Sequence, residues 1–132
     1  MSLNLGNKEV KLNTGNMIVT ETDNKGIIKF ASKDFCSIAG YTKDELVGQP
    51  HNLIRHPFMP SVAFKDLWDT VQKGDIWEGI VVNKTKTGGY YWVKASVYPS
   101  LSSDGSTKYI SVRDKPSNQE VKDAIALYET MN

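Results

Sequence analysis

Hydrophobic and polar positions change their period several times along this chain of 132 residues. Residues 1–16 are polar and rich in Asn, Gly and Lys, and predict a flexible N-terminal arm. A short apolar run, Met17 to Thr22, then predicts a strand. Asp23-Asn24-Lys25-Gly26 supplies turn residues that tolerate positive φ, and Ile27 to Ala31 returns as the second strand of a hairpin. Ser32 is placed to cap a helix over Lys33 to Ala39, with Gly40 as its stop. Thr42 and Glu45 have capping-box spacing, which predicts a second short helix ending by Gly48. The stretch from Gln49 to Pro60 holds three prolines, so any helix within it is about one turn. Pro60 suits the first position of a longer helix in which Phe64, Leu67, Trp68 and Val71 share one face, and Gly74 ends it.

The second half alternates with period two. Ile76 to Lys84 predicts a strand with Trp77, Gly79, Val81 and Asn83 on one face. Thr87-Gly88-Gly89 turns the chain into Tyr90 to Pro99, and Ser102 to Ser106 turns it again into Tyr109 to Arg113. A final helix runs from Pro116-Ser117-Asn118 to about Met131, with Val121, Ile125 and Tyr128 along one side. Two strands, several short helices, one longer helix, three strands and a terminal helix predict an α+β fold. Its core is a five-stranded antiparallel sheet with helices packed on one face. Short helices broken by proline close less tightly on a sheet than one long helix does, so a cavity between the layers is expected. The domain reading is a flexible arm over 1–16, a core over 17–115, and a C-terminal helix or output linker over 116–132.

Composition narrows the function. Lys plus Arg total 16 against 15 for Asp plus Glu, with no basic stripe, which argues against nucleic acid as a partner. Cys36 is the single cysteine, so there is no intramolecular disulfide or cysteine metal cage, and a cytoplasmic setting is expected. The sequence carries no apolar run of membrane-spanning length, so no direct membrane contact by this segment is expected. There is no phosphate-loop, nucleophile-elbow or two-histidine zinc motif, and Asp66 and Asp69 read as a solvated helix face. The chain is expected not to be an enzyme.

Three motifs carry a resemblance. Ala39-Gly40-Tyr41-Thr42-Lys43-Asp44-Glu45-Leu46-Val47-Gly48 resembles a segment common across PAS domains. Gly74 to Gly79, followed by Asn83 to Trp92, resembles the paired strands of flavin-binding PAS domains. Gly48 to Pro57, Met59-Pro60, Ala63-Phe64, Asp66 and Trp68 together look like the PAS domain of bacterial aerotaxis (energy-taxis) receptors. The resemblance covers residues 17 to 132. It implies the PAS fold, non-covalent FAD as a redox or oxygen reporter, and partnership with signalling domains of the same receptor or with a second copy. The implied cofactor-binding residues are Arg55, His56, Phe64, Trp68 and Asn83. Two residues depart from the family pattern and are expected near the pocket: Ser32 stands where asparagine is usual, and Phe58 where aspartate precedes Met-Pro.

The residues themselves support part of this. A buried Asn83 needs hydrogen-bond partners, which a flavin ring edge offers, and Arg55 with His56 at the mouth suits a pyrophosphate. Trp68 is by default a core aromatic, and Arg55 by default an ordinary surface or structural pair. His51 and His56 are spaced wrongly for a helical metal pair, so no metal site is expected. Two alternatives stand beside FAD: haem with His56 as axial ligand, and a cofactor-free interaction module that dimerises. Cys36 is expected to pack as a small hydrophobe, and the stretch His51 to Arg55 lacks the cysteine that covalent blue-light chemistry needs. Arg113 and the helix after it are the expected output elements.

Overall fold

The computed structural model describes residues 5–6, 8–13 and 15–131. The predicted hairpin is β1 (Ile18–Thr22) and β2 (Ile28–Ala31), antiparallel, with Thr20 opposite Ala31. Helix α1 (Lys33–Ala39) is capped as its sequence predicts: the Ser32 hydroxyl accepts from the Phe35 amide, and Gly40 closes the helix in the left-handed region at φ 82°. Helix α2 (Lys43–Leu46) carries both halves of the Thr42–Glu45 capping box. The proline-rich stretch holds one 3-10 turn, His51–Ile54. Helix α3 is Ser61–Gln72, so Pro60 is its extended N-cap at ψ 142° and not its first helical residue.

Strands β3 (Trp77–Lys84), β4 (Tyr90–Leu101) and β5 (Thr107–Asp114) follow, then helix α4 (Asn118–Met131). Strand β4 runs two residues past its predicted end at Pro99. There β3 has already stopped, at Trp77 opposite Val97, so the proline lies where β4 has one neighbour and a missing amide is tolerated. The sheet order is β2-β1-β5-β4-β3, all pairs antiparallel.

Register fixes the faces, because directly opposed residues point the same way. Trp77, Val81 and Asn83 of β3 oppose Val97, Val93 and Tyr91 of β4; Ala95 and Val97 oppose Arg113 and Ser111 of β5; these in turn oppose Ile18 and Thr20 of β1. This inner face lies under α1, α2 and α3. Helix α4 covers the other face near β3, where the Tyr128 hydroxyl donates to the Ile80 carbonyl and Lys94 Nζ pairs with Glu120 at 3.0 Å.

The segment predicted as a flexible arm makes defined contacts where it is described. Leu5 and Leu12 are buried, and Tyr90 exchanges backbone hydrogen bonds with Lys8 and Val10 at 2.9 and 2.8 Å. Tyr90 lies on β4 before β5 begins to pair, at Lys94 opposite Asp114, so its outward amide and carbonyl are free to take this extra chain. Polar composition hid the two leucines that anchor the segment.

Candidate functional site

The 48–55 segment forms a strap across the inner face. At one end it pairs with the β2 edge: Gly48 N–H donates to Ile28 O, Ile28 N–H to Gln49 O, and His51 N–H to Gly26 O, all within 2.8–2.9 Å. At the other end Arg55 bridges Asn83 on the opposite edge strand. Pro50 just before the 3-10 turn, with Pro57 and Pro60 after it, limits this stretch to one helical turn, too short to fill the space beneath it. Below lies a cavity of about 310 Å³, at the lower end of ligand-pocket sizes. Among its lining residues, Lys25, Asn52 and Lys65 are exposed and mark the mouth.

Four of the five residues implied for cofactor binding line this one cavity: Arg55, Phe64, Trp68 and Asn83. The Arg55 guanidinium lies 4.1 Å from the centre of the Phe64 ring, held as a cation over an aromatic face. Trp68 stands edge-on to Tyr109 at 5.2 Å and passes close to Gly26, where a β-carbon would sit 3.4 Å from the indole. Asn83 is 4% exposed; its side-chain amide donates only over a long 3.5 Å to the Tyr91 hydroxyl. Burial pushes that phenol up to about 12, so Tyr91 is neutral.

Trp77, read from sequence as one of an alternating face, walls the end of the cavity. Its indole folds over Gly79, where an added β-carbon would fall 2.4 Å from the ring, and its Nε1 donates to Asp66 at 3.0 Å. Asp66 is thus a tie between α3 and β3 as well as a surface acid.

His56 does not line the cavity. It is buried at the sheet edge, its Nε2–H donating to the Leu5 carbonyl and its Nδ1 accepting from the Phe58 amide at 3.0 Å, with Tyr90 packed edge-on at 6.4 Å. Both ring nitrogens are engaged, which leaves none for a haem iron or a pyrophosphate. The haem reading through His56 is therefore corrected. The two family departures are likewise away from the cavity. Ser32 Oγ accepts from Val19 N–H at 3.0 Å and donates to Met17 O at 2.7 Å, and the Phe58 ring packs edge-on against Trp92 and Tyr128 at 6.4 Å each. Neither changes the lining. Cys36 packs against the core, with burial raising its thiol, and is not a lining residue.

Sequence reasoning missed the cavity floor. Arg113, cited only as an output element, is 4% exposed and lines it, together with His51, Thr20 and Ser111. Arg113 Nη2 donates to His51 Nε2 at 2.8 Å, and the Thr20 hydroxyl converges on the same nitrogen at 3.2 Å. A guanidinium only donates, so His51 accepts at Nε2 and is neutral. Burial, reinforced by the Arg113 charge, lowers His51 to about 3. The available signal was alternation: Ser111 and Arg113 fall on one face of β5, and that face is the inner one. Among the described residues no group of acids, histidines and cysteines is arranged to hold a metal ion, and no helix is long and apolar enough to cross a membrane.

Known proteins bear on this arrangement. The aerotaxis receptor of Escherichia coli (strain K12) is 40% identical over 115 residues, covering 87% of this chain and 23% of that protein. The nitrogen fixation regulatory protein of Klebsiella pneumoniae is 26% identical over 91 residues, covering 69% of this chain and 18% of that protein. The chain thus spans less than a quarter of the length of either curated relative. Among solved structures, that of "Flavin Analogue Sheds Light on Light-Oxygen-Voltage Domain Mechanism" superposes with a TM-score of 0.72 at 19% identity, covering 88% of this chain and 89% of that one. The family model described as the PAS fold matches residues 28–113, most of the sheet and all of the strap, and the chain belongs to that family.

Proposed function

We propose that this PAS domain is a cytoplasmic sensor module that holds FAD non-covalently in the strap-covered cavity and reports redox state or oxygen to a chemotaxis-type output. The observation that carries the reading is the convergence of Trp68, Phe64, Asn83 and Arg55 on one cavity between sheet and strap. Similarity to an aerotaxis receptor and to a light-oxygen-voltage domain studied with a flavin analogue supports it.

The residues fit such a group. Trp68 and Phe64 offer apolar walls to a flat ring, and the buried Asn83 amide, poorly used by Tyr91, offers both a donor and an acceptor to a ring edge. Lys25 and Lys65 at the mouth, with Arg55 just inside, suit a phosphate-bearing tail that extends toward solvent. When bound, a flavin supplies reversible electron and proton uptake; this chain's part is to orient the ring, exclude water around it and feel its change in charge. Receptor and regulator relatives favour sensing over catalysis.

Titration of the purified protein with FAD, followed by absorbance and fluorescence quenching, tests the reading. Saturable uptake is expected, weakened about tenfold in Asn83→Ala for loss of one buried hydrogen-bonding group. Protein that stays colourless and leaves FAD fluorescence unchanged would overturn it.

A further inference from the structure

The N-terminal segment and helix α4 are both attached to the sheet through one short loop, and α4 has little else to hold it. Only Ala124 and Tyr128 of its 14 residues are buried. The Lys94–Glu120 ion pair joins side chains that are 50% and 36% exposed, which makes it worth little. A helix of this length is marginal unless an apolar face docks. Its last turns dock through Tyr128, whose hydroxyl donates to Ile80 O and whose ring packs on Phe58 at 6.4 Å. Phe58 also meets Trp92 of β4 at 6.4 Å, so one ring touches both sheet and helix. The N-terminal segment is seated by close backbone contact. Tyr90 exchanges hydrogen bonds with Lys8 and Val10, and a β-carbon on Gly6 would fall 2.6 Å from Gly88 O. The Leu5 carbonyl accepts from His56 Nε2–H, and the other nitrogen of the same imidazole accepts from the Phe58 amide at 3.0 Å. One ring therefore holds the segment with one nitrogen and the backbone of Phe58 with the other. Met59 N–H donates to His56 O at 3.0 Å and closes the turn.

We infer that His56-Pro57-Phe58 is a clasp that links docking of the 5–13 segment to docking of α4, so that release of either one loosens the other. The linkage comes from the two bonds of the imidazole. Leu5 O fixes which nitrogen carries the proton and which way the ring points. With the segment released that constraint is lost, the ring turns, the Phe58 amide loses the acceptor His56 offers, and the turn that aims the Phe58 ring at Tyr128 loosens. In the reverse direction, undocking of α4 strips Phe58 of an aromatic neighbour, and the loosened turn holds His56 less firmly on Leu5 O. Coupling between two docking equilibria is reciprocal, so the two effects are equal in free energy. The contact with α4 exists because Phe58 stands where the aerotaxis pattern has aspartate; an acid offers no ring to Tyr128. None of the three clasp residues lines the cavity, and the linkage holds whether or not the cavity takes a flavin.

Amide hydrogen exchange on the full chain tests this, with the amides of β5, paired on both sides, as the reference for global unfolding. Gly6→Ala pushes the segment off the sheet from a position whose added β-carbon has Gly88 and Tyr90 as its nearest neighbours. Exchange is expected to quicken about tenfold at Val10 and also in residues 127–131 of α4, with β5 unchanged. Phe58→Ala works from the other end: it is expected to quicken α4 directly and, through the clasp, Val10 and Tyr90. In the Phe58→Ala background, adding Gly6→Ala is expected to leave α4 exchange where it was, because the ring that carries the effect is gone. Fast exchange at Val10 in Gly6→Ala with α4 at its wild-type rate overturns the inference. So does an effect of Gly6→Ala on α4 that is the same with and without the Phe58 ring, or an acceleration shared equally by β5. Where Gly6→Ala unfolds the chain or leaves Val10 protected, Phe58→Ala decides. Faster exchange at Val10 and Tyr90 against an unchanged β5 then sustains the clasp, and wild-type exchange there overturns it.

Discussion

Two histidines, five residues apart, one half-buried and one buried, sit in environments that differ in one physical respect. At the sheet edge, His56 donates to Leu5 O, accepts from Phe58 N–H and packs on Tyr90, so each of its polar atoms meets a protein partner that needs it. On the cavity floor, His51 accepts from an arginine with no carboxylate beside it, next to an asparagine whose one side-chain bond is long. The edge is a closed set of matched groups that ties together three stretches of chain: the 5–13 segment, the loop after the strap and the start of β4. The floor is an open set whose donors outnumber its acceptors and which faces a void. Matched buried polarity reads as structure, and unmatched buried polarity beside a cavity reads as a site.

The separation breaks most readily at His56. Alanine there removes the side-chain partner of the Leu5 carbonyl and the acceptor that His56 offers the Phe58 amide, and leaves a void beside Tyr90. A loss of about 3 kcal/mol in folding stability is expected. Urea denaturation measures it. The same variant, where folded, is expected to lose less FAD affinity than Asn83→Ala, because His56 is not in the lining. The reverse pattern, little stability lost and flavin uptake abolished, would mean that edge and floor are one site.

How far this contrast was legible in the sequence depends on the range of the interactions involved. Elements written locally were read well: the caps at Ser32 and Thr42, the glycine stop at Gly40 and the alternation of β3 all appear where composition and spacing put them. The hollow was also legible, since prolines from 50 to 60 forbid a helix long enough to fill it. What was not legible depends on pairings between distant strands. His51 and Arg113 are 62 residues apart, and they meet only because the strap returns over β5. Likewise His56, adjacent in sequence to a lining residue, points out of the cavity because Arg55 bridges Asn83 and consecutive residues of an extended segment face opposite ways. Leu5 and Leu12 were masked by polar neighbours.

A middle-sized effect concerns pH. His51 titrates at about 3 in the folded protein against an ordinary 6.5, because burial and the Arg113 charge oppose its protonation. Above pH 6.5 both folded and unfolded chains hold it neutral and it contributes nothing to the pH dependence. Between 6.5 and about 3 only the unfolded chain takes up the proton, so stability falls as pH falls, by about 1.4 kcal/mol per unit and about 2 kcal/mol by pH 5. The carboxylates also titrate at the acid end, so the informative quantity is wild type minus His51→Gln, from denaturation at pH 7, 6 and 5. Glutamine keeps an acceptor for Arg113 and cannot charge, and its curve is expected to be flatter. Parallel curves would show that the histidine is protonated in the folded floor and that Arg113 is not its donor.

The smallest effect lies at the border between the floor and helix α4. The Tyr128 hydroxyl donates to Ile80 O on the face opposite the cavity, one residue before the lining residue Val81, and burial raises its phenol. Tyr128→Phe keeps the ring that packs on Phe58 and removes one hydrogen bond, a loss of about 1 kcal/mol. Hydrogen exchange is expected to report it as faster opening of the last turns of α4, with the midpoint potential of bound FAD unchanged. A shift in that potential would instead show that β3 transmits between its two faces. Helix α4 follows Arg113 after only a short linker, so such a shift would make it an output arm that senses the floor charge from both ends: through Arg113 at its start and through Ile80 near its finish.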